Sequence, residues 1–164
     1  MALKADRYEE STDVSYFYNA GTATRGGVVC LDDLYLASGA ALDQGENLVS
    51  YQQVTASNNV QPVGILLNDV VNKDLTRTHL NQHKDEVQKG GKVTVMTRGW
   101  VVTSNVTGTP TAGALAYADS ATEGNVPAAA VDPAVSGSAV IGRWMSRKDA
   151  DGYAKLYVNL PNFQ

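Results

Sequence analysis

Cysteine and histidine are scarce in this sequence. Its 164 residues include one cysteine, Cys30, and two histidines, His79 and His83. A lone cysteine excludes an internal disulfide, and the apolar stretch around it, GGVVCLDDLYL, predicts a small buried side chain in a reducing compartment. A structural zinc site usually takes four cysteine or histidine ligands, and this chain has only three such residues.

Long runs of positive charge and long apolar runs are also missing. The 13 lysines and arginines are scattered among 17 acidic residues, which gives a formal net charge of -4 at pH 7. No basic run could follow a phosphate backbone, so nucleic acid is not an expected partner. The apolar stretches are far shorter than the roughly 20 residues that span a bilayer, and MALKADRYEESTD has no signal-peptide core. We therefore expect no membrane contact and synthesis in the cytosol.

The composition that remains is typical of a folded, β-rich domain. Hydrophobic residues make up 43% of the chain and charged residues 18%, which suits a single domain of this length. Short β-branched segments are separated by glycine, asparagine, aspartate and serine, the pattern of strands joined by turns. No helical period of adequate length lies between them, which favours an all-β, mainly antiparallel barrel or sandwich. The predicted strands are 27–31, 47–54, 62–67, 92–103, 114–118, 138–145 and 153–160.

Two of these strands allow predictions about individual side chains. In the last strand Leu156, Val158 and Leu160 share one face by period two, so we expect them to close the core. In 92–103 the alternation is interrupted at Gly99, where we expect a bulge or a sharp coil of the sheet.

Two stretches are less regular. Residues 74–91 begin with aspartate and end with two glycines, as a short helix does, but they have few strongly apolar side chains. A short helix and a long loop are both consistent with this stretch. Residues 104–137 are rich in alanine, glycine, threonine and proline, so we expect mostly loop with one or two weak strands.

The first 25 residues differ in texture from the rest. They are polar, have no sustained period and contain three consecutive aromatic residues at 16–18. We predict an extended N-terminal arm over 1–25 and a barrel-like domain over 26–164. An arm that orders on a partner and an unstructured arm both fit this composition. Tyrosine, phenylalanine and arginine are enriched in buried protein contacts, so the predicted partner contacts are Arg7, Tyr8, Tyr16, Phe17, Tyr18 and Arg25.

A stretch near the end of the chain matches part of the EF-hand calcium-loop motif. In SRKDADGYAKLYVNLP, placing Gly152 at loop position 6 puts Asp149 and Asp151 at positions 3 and 5. Position 1 is then Arg147 and position 12 is a valine, so the ligands at both ends of the loop are missing. A turn between the last two predicted strands explains the same letters, with Gly152 at positive φ. We predict a hairpin turn and no metal site.

Few residues could support catalysis or sugar binding. His79 and His83 have the spacing of a zinc pair on a helix, but no third ligand lies near them, so we expect two surface side chains. The chain has no G-x-S-x-G and no cysteine close to a histidine, so we predict neither an enzyme nor a cofactor. A hydrolase would need a cleft that holds one histidine beside a serine or carboxylate. Trp100 and Trp144 have apolar neighbours, which favours packing in the core or a subunit interface, with sugar stacking as the alternative.

The order of these features resembles a known family over roughly residues 20–164. After the polar arm come, in order, GGVV, QPVGILLNDV, VTVMTRGWVVT, TPTAGALAYAD and SAVIGRWMSRKDADGYAKLYVNL. This order is similar to the small capsid decoration, or cement, proteins of tailed bacteriophages. The resemblance implies a compact β-barrel or β-tulip domain that forms a trimer on the outside of the head. It also implies bridging of neighbouring major capsid subunits, in part through an N-terminal arm.

The resulting hypothesis is a non-enzymatic virion protein that binds the major capsid protein and stabilises the shell, without a cofactor. A shell-locking protein needs many modest contacts repeated over a symmetric lattice rather than a catalytic pair. Deleting residues 1–20 would then abolish binding to empty heads and leave the domain folded. The alternatives are a carbohydrate-binding or tail-fibre β-module, a small hydrolase, and a structural subunit of the tail or neck.

Overall fold

Short β-strands make up almost all the regular structure. A computed structural model describes residues 2–31, 47–51, 61–118, 124–128 and 139–160. These ranges also hold one 3-10 helical turn, at Gln82–Lys84, and no helix in them is long and apolar enough to cross a membrane. The strands are β1 (Tyr8–Asp13), β2 (Phe17–Tyr18), β3 (Val28–Leu31), β4 (Leu48–Ser50), β5 (Pro62–Leu66), β6 (Asp69–Val71), β7 (Glu86–Gln88), β8 (Val95–Thr103), β9 (Val106–Thr107), β10 (Leu115–Tyr117), β11 (Val126–Pro127), β12 (Val140–Trp144) and β13 (Ala154–Asn159).

One large sheet contains nine of these strands. Eight follow the order β10, β12, β13, β8, β5, β3, β4, β2, and β1 pairs with β8 outside that path. All neighbours in this sheet are antiparallel except β2 and β4. Two small parallel pairs, β6 with β7 and β9 with β11, stand apart from it. The predicted all-β, mainly antiparallel fold is confirmed.

Strand β5 and the start of β8 are buried on both faces. Along β5, Ile65 contributes to one apolar cluster and Leu66 to another, and along β8 Met96 and Val95 divide in the same way. Strands covered on both sides read as continuous apolar runs instead of alternating ones. The first cluster includes Leu3, Val28, Cys30, Ile65, Met96, Val101, Ile141, Trp144, Leu156, Val158 and Leu160, and the second includes Tyr18, Ala23, Val29, Val49, Leu66, Val70, Val93 and Val95.

Cys30 lies in the first of these clusters, as predicted. Its residue is 1% exposed, and burial raises the pKa of its thiol to about 12. A thiol with such a pKa is protonated at neutral pH and is a poor nucleophile. Cys30 is therefore a small buried core residue with a protonated thiol.

Each of the seven predicted strands contains an observed one: β3, β4, β5, β8, β10, β12 and β13. Residues 52–54 of the predicted strand 47–54 lie outside the described residues. Six strands have no individually predicted counterpart: β1, β2, β6, β7, β9 and β11. They are polar or only two or three residues long, and β9 and β11 lie in 104–137, where we expect one or two weak strands. Such segments are too polar or too short to show a period of apolar side chains.

The stretch 74–91, for which a short helix and a long loop were both open, contains one short helical turn and strand β7. Asp74 organises its first turn: its carboxylate accepts from the backbone N–H and the hydroxyl of Thr76, at 3.0 and 2.6 Å. The 3-10 turn ends at Lys84. The next residue, Asp85, has a left-handed φ of 53°, and β7 follows. The apolar side chains are too few to give a helix a buried face.

A bulge occurs where Gly99 was expected to interrupt the sheet. In β1, Glu9 pairs with Gly99 and Ser11 with Arg98, so Glu10 is an extra residue between them. Gly99 has a φ of 141°, and a Cβ at this position would overlap the carbonyl oxygen of Tyr8. Only glycine lets β1 approach β8 this closely, so the interruption of the pattern marks a true bulge.

Closure of the sheet into a barrel remains a prediction. In the described part of the chain, β10 and β2 end the strand order and are not paired with each other. The pairings that the structure gives are therefore those of an open, nine-stranded sheet.

The last two strands form the predicted hairpin. Gly152 has a φ of 88°, and Leu156, Val158 and Leu160 are all buried, so both predictions are confirmed. The turn is organised by Asp149, whose Oδ1 accepts from the backbone N–H of Tyr153 at 2.7 Å and of Asp151 at 3.1 Å. The aspartates and the glycine that resembled part of a calcium loop therefore form the hairpin turn.

The Asp149 carboxylate should make the stability of this hairpin depend on pH. The Tyr153 N–H, and then the Lys4 ammonium at 3.0 Å, lower its pKa from the ordinary value. A lowered pKa in the folded state contributes stability above the unfolded pKa, which is lost as the pH falls through the folded one. We expect Asp149→Asn to lower the melting temperature at neutral pH, and the difference from wild type to shrink as the pH falls below the ordinary aspartate pKa and through the lower folded one.

Thermal melts followed by circular dichroism at several pH values would measure this effect. Asp151→Asn is the matched control, because the interaction of Asp151 in the turn is made by its backbone N–H. An Asp149→Asn deficit that is the same at every pH would contradict the prediction.

Candidate functional site

The six residues predicted to contact a partner differ in their exposure to solvent. Residues 2–25, the N-terminal segment over which the sequence predicts an extended arm, include β1 and β2, two strands of the large sheet. A buried side chain contacts its own chain first, so only the exposed residues are ready to meet another molecule. Tyr8 is 64% exposed, Arg7, Tyr16 and Phe17 are half-buried, and Tyr18 and Arg25 are buried.

The start of the N-terminal segment is fastened to the end of β8. The backbone N–H of Lys4 donates to the Val102 carbonyl at 2.9 Å, and that of Ser104 donates to the Ala2 carbonyl at 2.8 Å. Between these bonds, Leu3 is 2% exposed and lies in the first core cluster. Sequence reasoning missed this anchor because one leucine in a polar stretch makes no period.

Tyr18 anchors the second half of the segment in the other cluster. Its ring meets that of Tyr51 edge-on at 5.9 Å, and its hydroxyl accepts from the Tyr51 backbone N–H at 3.3 Å. The Tyr51 hydroxyl accepts from the Gly27 N–H at 3.1 Å and donates to the Thr24 carbonyl at 2.5 Å. Burial raises the pKa of Tyr51, so this phenol stays a donor at neutral pH. These aromatic rings hold the segment to the domain.

Arg25 also holds the N-terminal segment to the domain, by ion pairs and a backbone hydrogen bond. Its guanidinium Nη1 donates to Asp85 at 2.5 Å and its Nε lies 3.8 Å from an Asp69 oxygen, while its backbone N–H donates to Asp69 at 2.8 Å. Asp69 begins β6 and Asp85 directly precedes β7. A buried arginine needs such carboxylates to offset its loss of hydration. Arg25 therefore ties the end of the segment to the small parallel pair.

Arg7 and Tyr8 lie in the exposed part of the segment, beside an open groove. Arg7 forms an ion pair with Glu9 at 2.5 Å, and Tyr8 is paired with Trp100 in β8. The Lys155 ammonium lies 4.9 Å from the centre of the Trp100 ring, within cation–π range. The groove is lined by Asp6, Arg7, Tyr8, Trp100, Val102 and Lys155.

The two tryptophans have different environments. Trp144 is fully buried in the first cluster, and its indole N–H donates to the Pro127 carbonyl at 3.4 Å, which confirms the core interpretation. Trp100 is half-buried on the outer face of the sheet, where its ring lies 5.0 Å from that of Tyr157 at an interplanar angle of 55°. Trp100 is therefore the tryptophan that another molecule can reach.

The residues considered for metal or catalytic chemistry are not gathered into a site. His79 and His83 are exposed, as expected of two surface side chains. Within the described ranges, no group of three or more histidine, cysteine, aspartate or glutamate side chains could hold a metal ion.

Comparison with known proteins agrees with a structural role. Residues 6–159 match the phage family described as structural cement protein (E217 gp24/Pam3 gp6). A search of curated proteins found no match. The family match spans most of the chain, from the N-terminal segment to the end of β13. The chain therefore belongs to the structural cement proteins of phages and is a structural component of the phage particle.

Proposed function

We propose that this protein binds the major capsid protein and stabilises the phage shell without catalysing a reaction. The observation that carries the proposal is the family match over residues 6–159. The exposed start of β1 supports it, because Tyr8 lies on a strand that is hydrogen-bonded to β8 and Arg7 directly precedes that strand. Contact residues held on a paired strand lose less conformational entropy on binding than residues of a free arm.

The mechanism we propose is clamping by many copies. The N-terminal segment presents Arg7 and Tyr8 to the shell, while Tyr18 and Arg25 hold that segment to the rest of the domain. Self-association as a homotrimer would let each unit contact several capsid subunits, and multivalency would convert weak single contacts into a stable lattice. We include in this proposal a sheet that closes into a β-barrel or β-tulip shape.

Binding to purified heads tests the function. Heads assembled without this protein would be incubated with the full chain, pelleted, and heated while release of DNA or loss of shell integrity is followed. We expect the protein to pellet with the heads in saturable, regular stoichiometry and to raise the temperature at which the shell fails. Sedimentation equilibrium of the free protein is expected to give the mass of three chains. Absence of binding would overturn the function, and a monomer mass would overturn the trimer.

A further inference from the structure

Five side chains form a continuous row across the outer face of the large sheet. Strand register pairs Leu115 with Arg143, Arg143 with Tyr157, Tyr157 with Trp100, and Trp100 with Tyr8. The row, here called the outer row, crosses β10, β12, β13, β8 and β1 in that order. Paired residues in a sheet point to the same face, so the five side chains lie side by side.

The outer row is accessible in the part of the chain that the structure describes. Tyr8 is 64% exposed, Leu115 is 40% exposed and Arg143 is exposed, while Trp100 and Tyr157 are half-buried. Tryptophan, tyrosine and arginine are enriched in protein–protein interfaces. Side chains of these types also contribute most of the binding energy at such interfaces. An exposed line of them indicates a docking surface.

The charge of the outer row differs from that of the whole chain. Lys155, next to the row, lies over Trp100, and Arg143 donates to the Gly113 carbonyl at 2.5 Å. Neither cation forms an ion pair with a carboxylate among the described residues. The chain as a whole carries a net charge of -4.

The carboxylates near the outer row are mostly paired already. Glu10 lies 2.8 Å from Arg98, and Glu9 pairs with Arg7. Asp6 is the remaining acidic side chain that lines the groove. Because Lys155 and Arg143 have no carboxylate partner in the described ranges, the outer row favours an acidic partner.

The geometry at Trp100 favours a protein over a sugar. The Lys155 ammonium lies over the indole ring and the Tyr157 ring packs against it, so the ring is not a free stacking platform. A row across five strands forms a broad surface, which suits a broad partner. Two cations, Lys155 and Arg143, are also too few for a phosphate backbone.

We propose that the outer row is the docking surface for an acidic, apolar-centred patch on the capsid shell. This inference rests on the proposed function and adds to it the surface used and the chemistry of the partner. Trp100 and Tyr157 supply the desolvated centre, Tyr8 and Leu115 extend it, and Arg143 and Lys155 meet carboxylates of the shell. Binding should therefore weaken as salt concentration rises.

Charge reversal within the full-length protein tests the inference. Lys155→Glu and Tyr8→Ala would be compared with Lys89→Glu, which makes the same charge change at an exposed position beyond the end of β7. Affinity for heads assembled without the protein would be measured by pelleting at about 50 mM and about 500 mM NaCl. We expect about tenfold weaker binding for Lys155→Glu and for Tyr8→Ala at low salt, and wild-type binding for Lys89→Glu. Melting curves would show that all three variants are folded.

The outcomes separate this inference from the proposed function. If the wild type does not bind heads, both fail. If it binds and Lys155→Glu and Tyr8→Ala bind as well as Lys89→Glu, the function stands and the outer row is not the docking surface. A lower solution mass for Tyr8→Ala in the absence of heads would assign the row to self-association instead. Glycan binding that Tyr8→Ala abolishes would assign it to a sugar; either result would overturn the inference.

Discussion

Removal of residues 1–20 is expected to unfold the protein, because this segment supplies side chains to both core clusters. Leu3 is 2% exposed and Tyr18 is 1% exposed. Truncating a buried leucine or aromatic side chain typically costs about 2–5 kcal/mol, and a whole domain is stable by only about 5–15 kcal/mol. The loss of β1 also leaves one edge of β8 without hydrogen-bond partners. The sequence alone led us to expect that the domain stays folded without residues 1–20, whereas these contacts predict that it unfolds.

Urea unfolding of a chain that begins at residue 21, followed by circular dichroism, would measure the effect. The full-length Tyr8→Ala variant is the control, since Tyr8 is 64% exposed and its loss should leave stability almost unchanged. A truncated chain that unfolds cooperatively with the same urea midpoint as the wild type would contradict this prediction. It would show that residues 1–20 form an arm that the fold does not need. Because deletion would affect both folding and binding, single substitutions at exposed positions are the better tests of shell contact.

Trp144→Ala is expected to lower the free energy of unfolding by about 3–5 kcal/mol. Trp144 is 0% exposed, pairs with Leu156 across β12 and β13, and donates its indole N–H to the Pro127 carbonyl. Alanine would leave a large cavity at the centre of the first cluster and an unsatisfied carbonyl beside it.

Urea denaturation of Trp144→Ala and Trp100→Ala gives a matched comparison of the two tryptophans. Trp100 is half-buried on the outer face, so its replacement should cost clearly less stability than that of Trp144. If the outer row is the docking surface, Trp100→Ala should instead reduce binding to heads. Equal losses of stability would contradict the division into a core tryptophan and a surface tryptophan.

Features set by local sequence were predictable. The alternation of Leu156, Val158 and Leu160 placed them in the core because successive side chains of a strand point to opposite faces. Gly152 marked the hairpin turn and Gly99 the bulge, since each position needs a backbone that other residues rarely adopt. Both rules act over a few neighbouring residues, so no knowledge of the remaining fold is required.

The role of the N-terminal segment was not predictable in the same way. Its tyrosines and arginine have the composition of a binding interface, and the same residue types also build cores. Tyr18 became a core residue because Tyr51 lies across from it, and Arg25 because Asp69 and Asp85 meet there. β1 is a strand because β8 offers its backbone groups, although its own side chains are mostly exposed.

The sequence by itself determined the all-β class, the strands of the large sheet with strong apolar patterns, the final turn and the resemblance to phage cement proteins. Only the tertiary structure decided which surface is continuous. Tyr8, Trp100, Tyr157, Arg143 and Leu115 are far apart along the chain and become neighbours through strand register. Register depends on long-range pairing, the bulge opposite Gly99 and the burial of the opposite face, and none of these is encoded in a local period.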